Sequence, residues 1–271
     1  MSPLEGVILG VIQGLTEFLP VSSSGHLVIA QSFIKGFQQP GILFDVMLHF
    51  GTLLAVVFFL REDLCDIVKA ILQKQHGEVD SAIISGRRNL GFLIIVSTTV
   101  TGIIGLLFND NIHIFFKSVN VAASMLLVTG FLLFLSDKVK NTCRLEKDMN
   151  VTDGIIIGIA QGISIMPGIS RSGATIAFGI FRNLDRETAA RFSFLLSIPA
   201  IIGAVIFESR HIGSIPSDDL IPYAAGAVAA VLTGFLSLKL LFLIIKKKRG
   251  LGIFAYYCWF VGIATLLANA L

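Results

Sequence analysis

Residues 13–26 read Gln-Gly-Leu-Thr-Glu-Phe-Leu-Pro-Val-Ser-Ser-Ser-Gly-His, a polar stretch within a very apolar chain. Gln13 and Glu17 are four residues apart and therefore share one face of a helix. Pro20 ends that helix, because its ring clashes with the preceding turn and it has no N–H to donate. Residues 22–25 then form a hydroxyl-rich turn that starts a second helix. The N-terminus of such a helix attracts anions, phosphate above all.

The composition places this polar stretch in a membrane protein. Of the 271 residues, 54% are apolar and 14% are charged, whereas a soluble domain has about 25% charged residues. Mean hydropathy is +0.84. Several nearly uncharged stretches have the roughly 20 apolar residues that a helix needs to cross a bilayer. No cleavable signal peptide is expected, because the first residues lack a basic segment and a cleavage site.

The apolar segments predict one all-α polytopic membrane domain over residues 1–271, with six full transmembrane helices and two re-entrant helical hairpins. The pieces on either side of Pro20 are too short to span, so we interpret them as a hairpin whose tip is buried in protein. A short interfacial helix is expected between residues 61 and 88. The first half, 1–136, comprises a hairpin at 3–34 and spans at 43–60, 89–108 and 119–136. The second half, 151–271, comprises a hairpin at 152–181, with Thr152-Asp153 as its N-cap, and spans at 187–207, 220–245 and 252–271.

The two hairpins are copies of one another. A shift of 148 residues aligns residues 5–30 with residues 153–178 without a gap. Chance in this composition would give on the order of two identities, so the larger number found indicates an internal repeat. The identical pairs are Gly6/Gly154, Ile8/Ile156, Gly10/Gly158, Gln13/Gln161, Gly14/Gly162, Ser22/Ser170, Ser24/Ser172 and Gly25/Gly173. The copies differ where Glu17, Ser23 and His26 are replaced by Ile165, Arg171 and Ala174.

The repeat and the charges predict the topology. Three spans separate the two hairpins, and an odd number of crossings inverts the second copy, which brings the two tips together near the midplane. The side richer in Lys and Arg is cytoplasmic, so both termini and the mouth of the first hairpin lie outside. The outer side has Lys35, Lys117 and Arg210. The cytoplasmic side has Arg61, Lys69, Lys74, Arg87, Arg88, Lys138, Lys140, Arg144, Lys147, Arg182, Arg186, Arg191, Lys239 and residues 246–249.

The residues of the two tips predict a site for a phosphate carried on a lipid. Arg171 lies in the second tip, where an arginine is costly; it either neutralises Glu17 or binds a ligand. Its fork of donors, beside hydroxyls and backbone N–H groups, matches phosphate geometry. Glu17, with Gln13 one turn below, is suited to a hard divalent cation that bridges phosphate oxygens. His26 or a serine is placed to attack phosphorus.

Two motifs closely resemble the two signature motifs of the undecaprenyl-diphosphate phosphatases of the BacA type. The first is residues 13–26, and the second is Pro-Gly-Ile-Ser-Arg-Ser-Gly-Ala-Thr at 167–175. The resemblance covers essentially the whole chain. It implies hydrolysis of undecaprenyl diphosphate to undecaprenyl phosphate and inorganic phosphate outside the bacterial cytoplasmic membrane. That reaction recycles the lipid carrier for peptidoglycan and other cell-wall polymers, and overproduction in the family confers bacitracin resistance. Family members need a divalent cation, Mg²⁺ or Ca²⁺.

The resemblance assigns roles to residues by position. Glu17, Ser23, His26 and Arg171 are the expected catalytic residues, with Glu17 also the expected metal ligand. Many members have Glu where this chain has Gln13, so its metal site has one fewer charge. The expected substrate-binding residues are Gln13, Ser22, Ser24, Gly25, Ser170, Ser172, Gly173 and Thr175.

Three nucleophiles are left open by the sequence. His26 is preferred because a neutral imidazole needs no base. Ser23 with His26 as its base follows, because Ser22 and Ser24 recur in the repeat whereas Ser23 does not. Water activated by a metal comes last.

The alternative functions are a lipid flippase and a secondary transporter, because both are built from inverted repeats with broken helices. A phosphatidic-acid-phosphatase-type enzyme is rejected, since the chain has no Arg-Pro dipeptide and lacks the His and Asp that should follow Ser170-Arg171. Asp45 and His49 are assigned structural hydrogen bonds, and Tyr256, Tyr257 and Trp259 the membrane interface. No nucleic-acid partner is expected, and a homodimer is left open.

Overall fold

The computed structural model describes residues 1–33, 42–72, 78–116, 118–209, 220–247 and 250–270. The predicted ends at residues 34 and 271 lie outside these ranges, as do Lys35, Lys74, Lys117, Arg210, Lys248 and Arg249. The helices of the described residues are α1 (Pro3–Phe18), α2 (Ser23–Phe33), α3 (Ile42–Phe59), α4 (Arg61–Leu72), α5 (Glu78–Phe116), α6 (Val119–Lys138), α7 (Val151–Ile163), α8 (Arg171–Phe181), α9 (Arg186–Ser209), α10 (Leu220–Lys246) and α11 (Gly252–Ala270).

The long helices confirm an all-α polytopic membrane protein. In the described part of the chain five helices are long and apolar enough to cross a bilayer, and they lie in α5, α6, α9, α10 and α11. The predicted first span corresponds to α3, which bends by 71° into α4. A sixth span is obtained only if this bent pair is counted as one.

The predicted span at 89–108 lies within α5, which begins at Glu78, and Arg87 of this helix donates 3.2 Å hydrogen bonds to Asp63 and Glu146. One predicted helix start is wrong. The N-cap of α7 is Asn150 rather than Thr152-Asp153. Asn150 accepts from the backbone N–H of Asp153 at 3.2 Å, and the Asp153 carboxylate accepts from the Asn150 N–H at 2.9 Å, which completes a capping box.

An ion-pair cluster holds the second hairpin where both of its helices meet the preceding loop. The Asp153 carboxylate is buried and accepts hydrogen bonds from Arg144 at 2.6 Å and from Arg182 at 2.7 Å. Its hydrogen bond raises the pKa of the Arg144 guanidinium above the ordinary value. Because Asp153 begins α7 and Arg182 follows α8, this cluster fixes the two ends of the hairpin relative to each other.

Glycines at a spacing of four residues allow the hairpins to pack closely on long helices. Gly6, Gly10 and Gly14 of α1 face α10, and the equivalent glycines of α7 face α5. A Cβ added at Gly158 would lie 2.7 Å from the Ser97 carbonyl oxygen. The close approach also permits interhelical hydrogen bonds, such as the 2.7 Å bond from the Ser97 hydroxyl to the Gly154 carbonyl.

Replacing Gly158 by Ala should therefore destabilise the protein by about 2 kcal/mol, since a methyl group against a backbone carbonyl forces α7 away from α5. Gly102→Ala is the matched control, because a Cβ added at Gly102 would have no described atom outside its own stretch of helix within 4 Å. It should be neutral or stabilise by up to about 1 kcal/mol through helix propensity. Thermal unfolding of the purified proteins in detergent checks both. Equal midpoints for the two variants would contradict the packing argument.

Candidate active site

The breaks of the two hairpins lie against each other in a reciprocal arrangement. A Cβ added at Gly25 would be 3.0 Å from the Gly168 Cα, and one added at Gly173 would be 3.4 Å from the Pro20 Cβ. The 148-residue shift converts the first contact into the second. The break of each hairpin therefore packs against the start of the second helix in the other, as in an arrangement related by a two-fold axis.

The serines that recur in both copies hold the backbone of the breaks. Ser22 accepts a 3.3 Å hydrogen bond from the Gly25 N–H, and Ser170 accepts a 3.0 Å bond from the Gly173 N–H. Each is thus positioned to cap the helix that follows. Ser24 and Ser172 hydroxyls lie 3.3 Å from these capping hydroxyls. Ser22 also has a φ of +70°, which turns the chain sharply before α2.

Ser23 and Arg171, which occupy equivalent positions in the two copies, converge on one carboxylate. Ser23 is the first residue of α2, and its hydroxyl donates to Glu17 Oε2 at 2.5 Å. Arg171 is the first residue of α8, and its guanidinium donates to Glu17 Oε1. Gln13 Nε2 donates to Oε2 at 2.9 Å. Glu17 is buried in the last turn of α1, where the side chains of the first residues of α2 and α8 reach it.

His49 is a site residue that the sequence interpretation missed. Its Nδ1 lies 3.1 Å from Gln13 Nε2 and 3.7 Å from Glu17 Oε2, and its side chain is 36% exposed. The imidazole comes from α3, which packs beside α1. The available signal was a titratable residue in an apolar helix, a feature that marks functional positions in membranes.

His26 is held at both ring nitrogens. Its Nδ1 lies 2.8 Å from the Ser22 carbonyl oxygen, and its Nε2 lies 2.9 Å from the Tyr257 hydroxyl. A carbonyl only accepts hydrogen bonds, so Nδ1 carries the proton and the neutral ring has its lone pair on Nε2. Tyr257, for which the membrane interface was expected, is 43% exposed and contacts His26.

Several expected substrate-binding hydroxyls are already used within the protein. Thr175 donates to the Arg171 carbonyl at 2.8 Å, and its hydroxyl lies 2.5 Å from that of Ser193, which joins α8 to α9. The Ser172 hydroxyl donates to the Leu19 carbonyl at 3.3 Å. Ser22 and Ser170 cap helices, as described above. These residues shape the site, and Arg171 is the cationic donor beside Glu17.

The oxygen atoms of Glu17 and Gln13 fit a cation whose remaining ligands come from water and the substrate. Among the described residues no three His, Cys, Asp or Glu side chains are grouped to hold a metal ion. Gln13 is fully buried, however, and its Oε1 has no hydrogen-bond partner among the described residues. One carboxylate and one amide oxygen suit Mg²⁺ or Ca²⁺ only if water and phosphate complete the shell. Gln161 Oε1 also has no hydrogen-bond partner among the residues that the structure describes, but the position equivalent to Glu17 is Ile165.

Comparison with known proteins gives consistent matches over nearly the whole chain. Residues 6–264 match the family described as bacitracin resistance protein BacA. A protein of Syntrophotalea carbinolica named undecaprenyl-diphosphatase is 45% identical over 97% of both chains. A protein of the same name from Halothermothrix orenii is 43% identical over 98% of both chains. One from Methanobrevibacter smithii is 38% identical over 99% of this chain and 98% of its own.

Proposed function

Since the chain belongs to the bacitracin resistance protein BacA family, we propose that it is an undecaprenyl-diphosphatase. It releases inorganic phosphate from undecaprenyl diphosphate and returns undecaprenyl phosphate, the lipid carrier, to the synthesis of peptidoglycan and other cell-wall polymers. Bacitracin resistance follows from more rapid removal of the diphosphate form. The hairpins are re-entrant, the halves are inverted, and the site opens on the outer side of the cytoplasmic membrane.

The observation that carries this proposal is the convergence of Ser23 and Arg171 on Glu17 at the starts of α2 and α8. Two helix N-termini and one guanidinium supply the donors that a phosphate group needs. The carboxylate supplies a base and a metal ligand in the same place. A pair that only balanced charge would need neither the serine nor two helix starts.

In the proposed reaction, Arg171 and the N–H groups at the starts of α2 and α8 bind the terminal phosphate. His26 Nε2 attacks its phosphorus, the bond to the bridging oxygen breaks, and undecaprenyl phosphate leaves with the electron pair. Water, deprotonated by Glu17, then cleaves the phosphohistidine and releases inorganic phosphate. A cation held by Glu17 and Gln13 Oε1 supplies neutralisation of charge on the phosphate oxygens when bound.

Ser23 is the second candidate nucleophile, and its 2.5 Å hydrogen bond to Glu17 supports Glu17 rather than His26 as its base. In that pathway the serine proton passes to the carboxylate as oxygen attacks phosphorus. The phosphoserine is then hydrolysed in the same way.

Phosphate release in detergent micelles separates a phosphatase from a flippase or transporter, because micelles have no two sides. Purified wild-type protein should release phosphate from undecaprenyl diphosphate. Glu17→Gln should reduce kcat by about 10³-fold, since it removes the base and the charged ligand. A wild-type protein that releases none, while moving the lipid across vesicles, would establish the alternative.

Metal dependence is the next prediction. Excess chelator should abolish phosphate release, and added Mg²⁺ or Ca²⁺ should restore it. Gln13→Glu should retain activity and lower the cation concentration needed by about tenfold, because it adds a second anionic oxygen. The control is Gln161→Glu at the equivalent position of the second copy, which should not change the requirement. Full activity of wild type in chelator would contradict the metal role.

The orientation can be tested with the native thiol Cys143, which is exposed in the basic loop between α6 and α7. A membrane-impermeant maleimide should leave it unlabelled in intact cells and label it after lysis. Ala270→Cys, in a chain whose Cys65 and Cys143 are replaced by Ala, should label in intact cells because the C-terminus lies outside. The reverse pattern would invert the proposed topology.

A further inference from the structure

Tyr257 of α11 contacts the proposed nucleophile through both its hydroxyl and its ring. The hydroxyl lies 2.9 Å from His26 Nε2. The two rings are nearly parallel, with 5° between their planes and 5.6 Å between their centroids. The next residue, Cys258, lies with its Sγ 3.8 Å from the Pro20 carbonyl oxygen. Two successive residues of α11 therefore lie against the first hairpin's break and α2.

The direction of the hydrogen bond follows from the other side of the ring. Because Nδ1 donates to the Ser22 carbonyl at 2.8 Å, Nε2 of the neutral ring accepts, and the Tyr257 hydroxyl is the donor. The two bonds fix the tautomer and the orientation of the imidazole. Nε2 is the atom that must reach phosphorus, and it is covered by a phenol hydroxyl.

The neighbouring tyrosine does not share this geometry. Tyr256 is 62% exposed, and its ring packs edge-on against Phe134 and Trp259. Adjacent residues on a helix point in directions about 100° apart, so the two tyrosines face different surroundings. Tyr256 has the position expected of an interface aromatic, whereas Tyr257 faces His26.

We propose that Tyr257 is a positioning residue, which holds His26 in the reactive tautomer and covers Nε2 until the terminal phosphate displaces its hydroxyl. The role of Tyr257 in catalysis rests on the proposed phosphatase function. The parallel ring of Tyr257 remains beside the imidazole after the hydroxyl has moved. This arrangement limits the reaction of Nε2 with water-borne electrophiles and reduces the reorganisation needed before attack on phosphorus.

The test uses the purified full-length protein in detergent and the variants Tyr257→Phe and Tyr256→Phe. Diethyl pyrocarbonate acylates a neutral imidazole nitrogen with a free lone pair, and mass spectrometry of the His26 peptide measures the rate. Tyr257→Phe should be acylated at His26 about fivefold faster than wild type, because the covering hydrogen bond is gone and the ring remains. Its kcat for undecaprenyl diphosphate should fall about tenfold with KM within twofold, while Tyr256→Phe matches wild type in both measurements.

Wild-type acylation and kcat in Tyr257→Phe would overturn the proposal, and so would faster acylation without loss of kcat. An equal effect in Tyr256→Phe would also overturn it, since a general loosening of α11 would then be the cause. The acylation measurement does not depend on the phosphatase activity. If wild type released no phosphate at all, the proposed function would fail, and the acylation rates would still decide whether Tyr257 covers His26.

Discussion

Replacing Arg171 by Ala is expected to lower kcat/KM for undecaprenyl diphosphate by about 10³-fold, because the guanidinium is the one cationic side chain that reaches Glu17 from α8. Arg171→Lys retains the charge but not the planar fork, so it should recover only part of this loss. Phosphate release from purified protein in micelles measures both variants.

The competing explanation is that Arg171 only neutralises a buried carboxylate. Removing it alone leaves Glu17 buried without its cation, which costs about 3–5 kcal/mol in a buried pair. The double variant Glu17→Gln/Arg171→Ala removes both charges and should unfold at a higher temperature than Arg171→Ala alone. Recovered stability without recovered activity is the expected result. An Arg171→Ala protein with wild-type turnover would leave the residue a structural counter-ion.

Replacing His26 by Ala should reduce kcat by at least about 10³-fold, since it removes the proposed nucleophile. Rapidly quenched wild-type reactions with labelled diphosphate should retain label on His26, and the bond should be labile in acid and stable in base. The label should be absent from His26→Ala and retained in His49→Gln, which keeps a hydrogen-bonding side chain beside Gln13.

Two outcomes would reassign the chemistry. Acid-stable label on Ser23 would make the serine the nucleophile with Glu17 as its base, in agreement with their 2.5 Å hydrogen bond. Retained activity in His26→Ala without any trapped label would favour direct attack by water, and His26 would then be a structural histidine. Ser23→Ala distinguishes these outcomes, because it abolishes the reaction only in the first.

Local chemistry made much of this protein predictable from its sequence. Pro20 cannot continue a helix, so the break after Phe18 follows from the residue itself. The hydropathy of the long segments predicts helices that cross a membrane, because only a helix satisfies its own backbone there. The 148-residue repeat predicted that Ser22 and Ser170 have the same role in the two tips; substrate binding was expected of both, and each is positioned to cap the following helix.

Tertiary packing decided the remainder. The sequence assigns His49 a structural hydrogen bond and Tyr257 the membrane interface, because no local feature records that His49 lies beside Gln13 or that Tyr257 lies beside His26. The close packing of the hairpins on the long helices depends on glycines such as Gly10, which faces α10, and Gly158, which faces α5. Sequence thus determined which residues can perform the chemistry and where the helices break. Only the packed structure determined which distant side chains share a site, because those contacts join residues up to 231 positions apart.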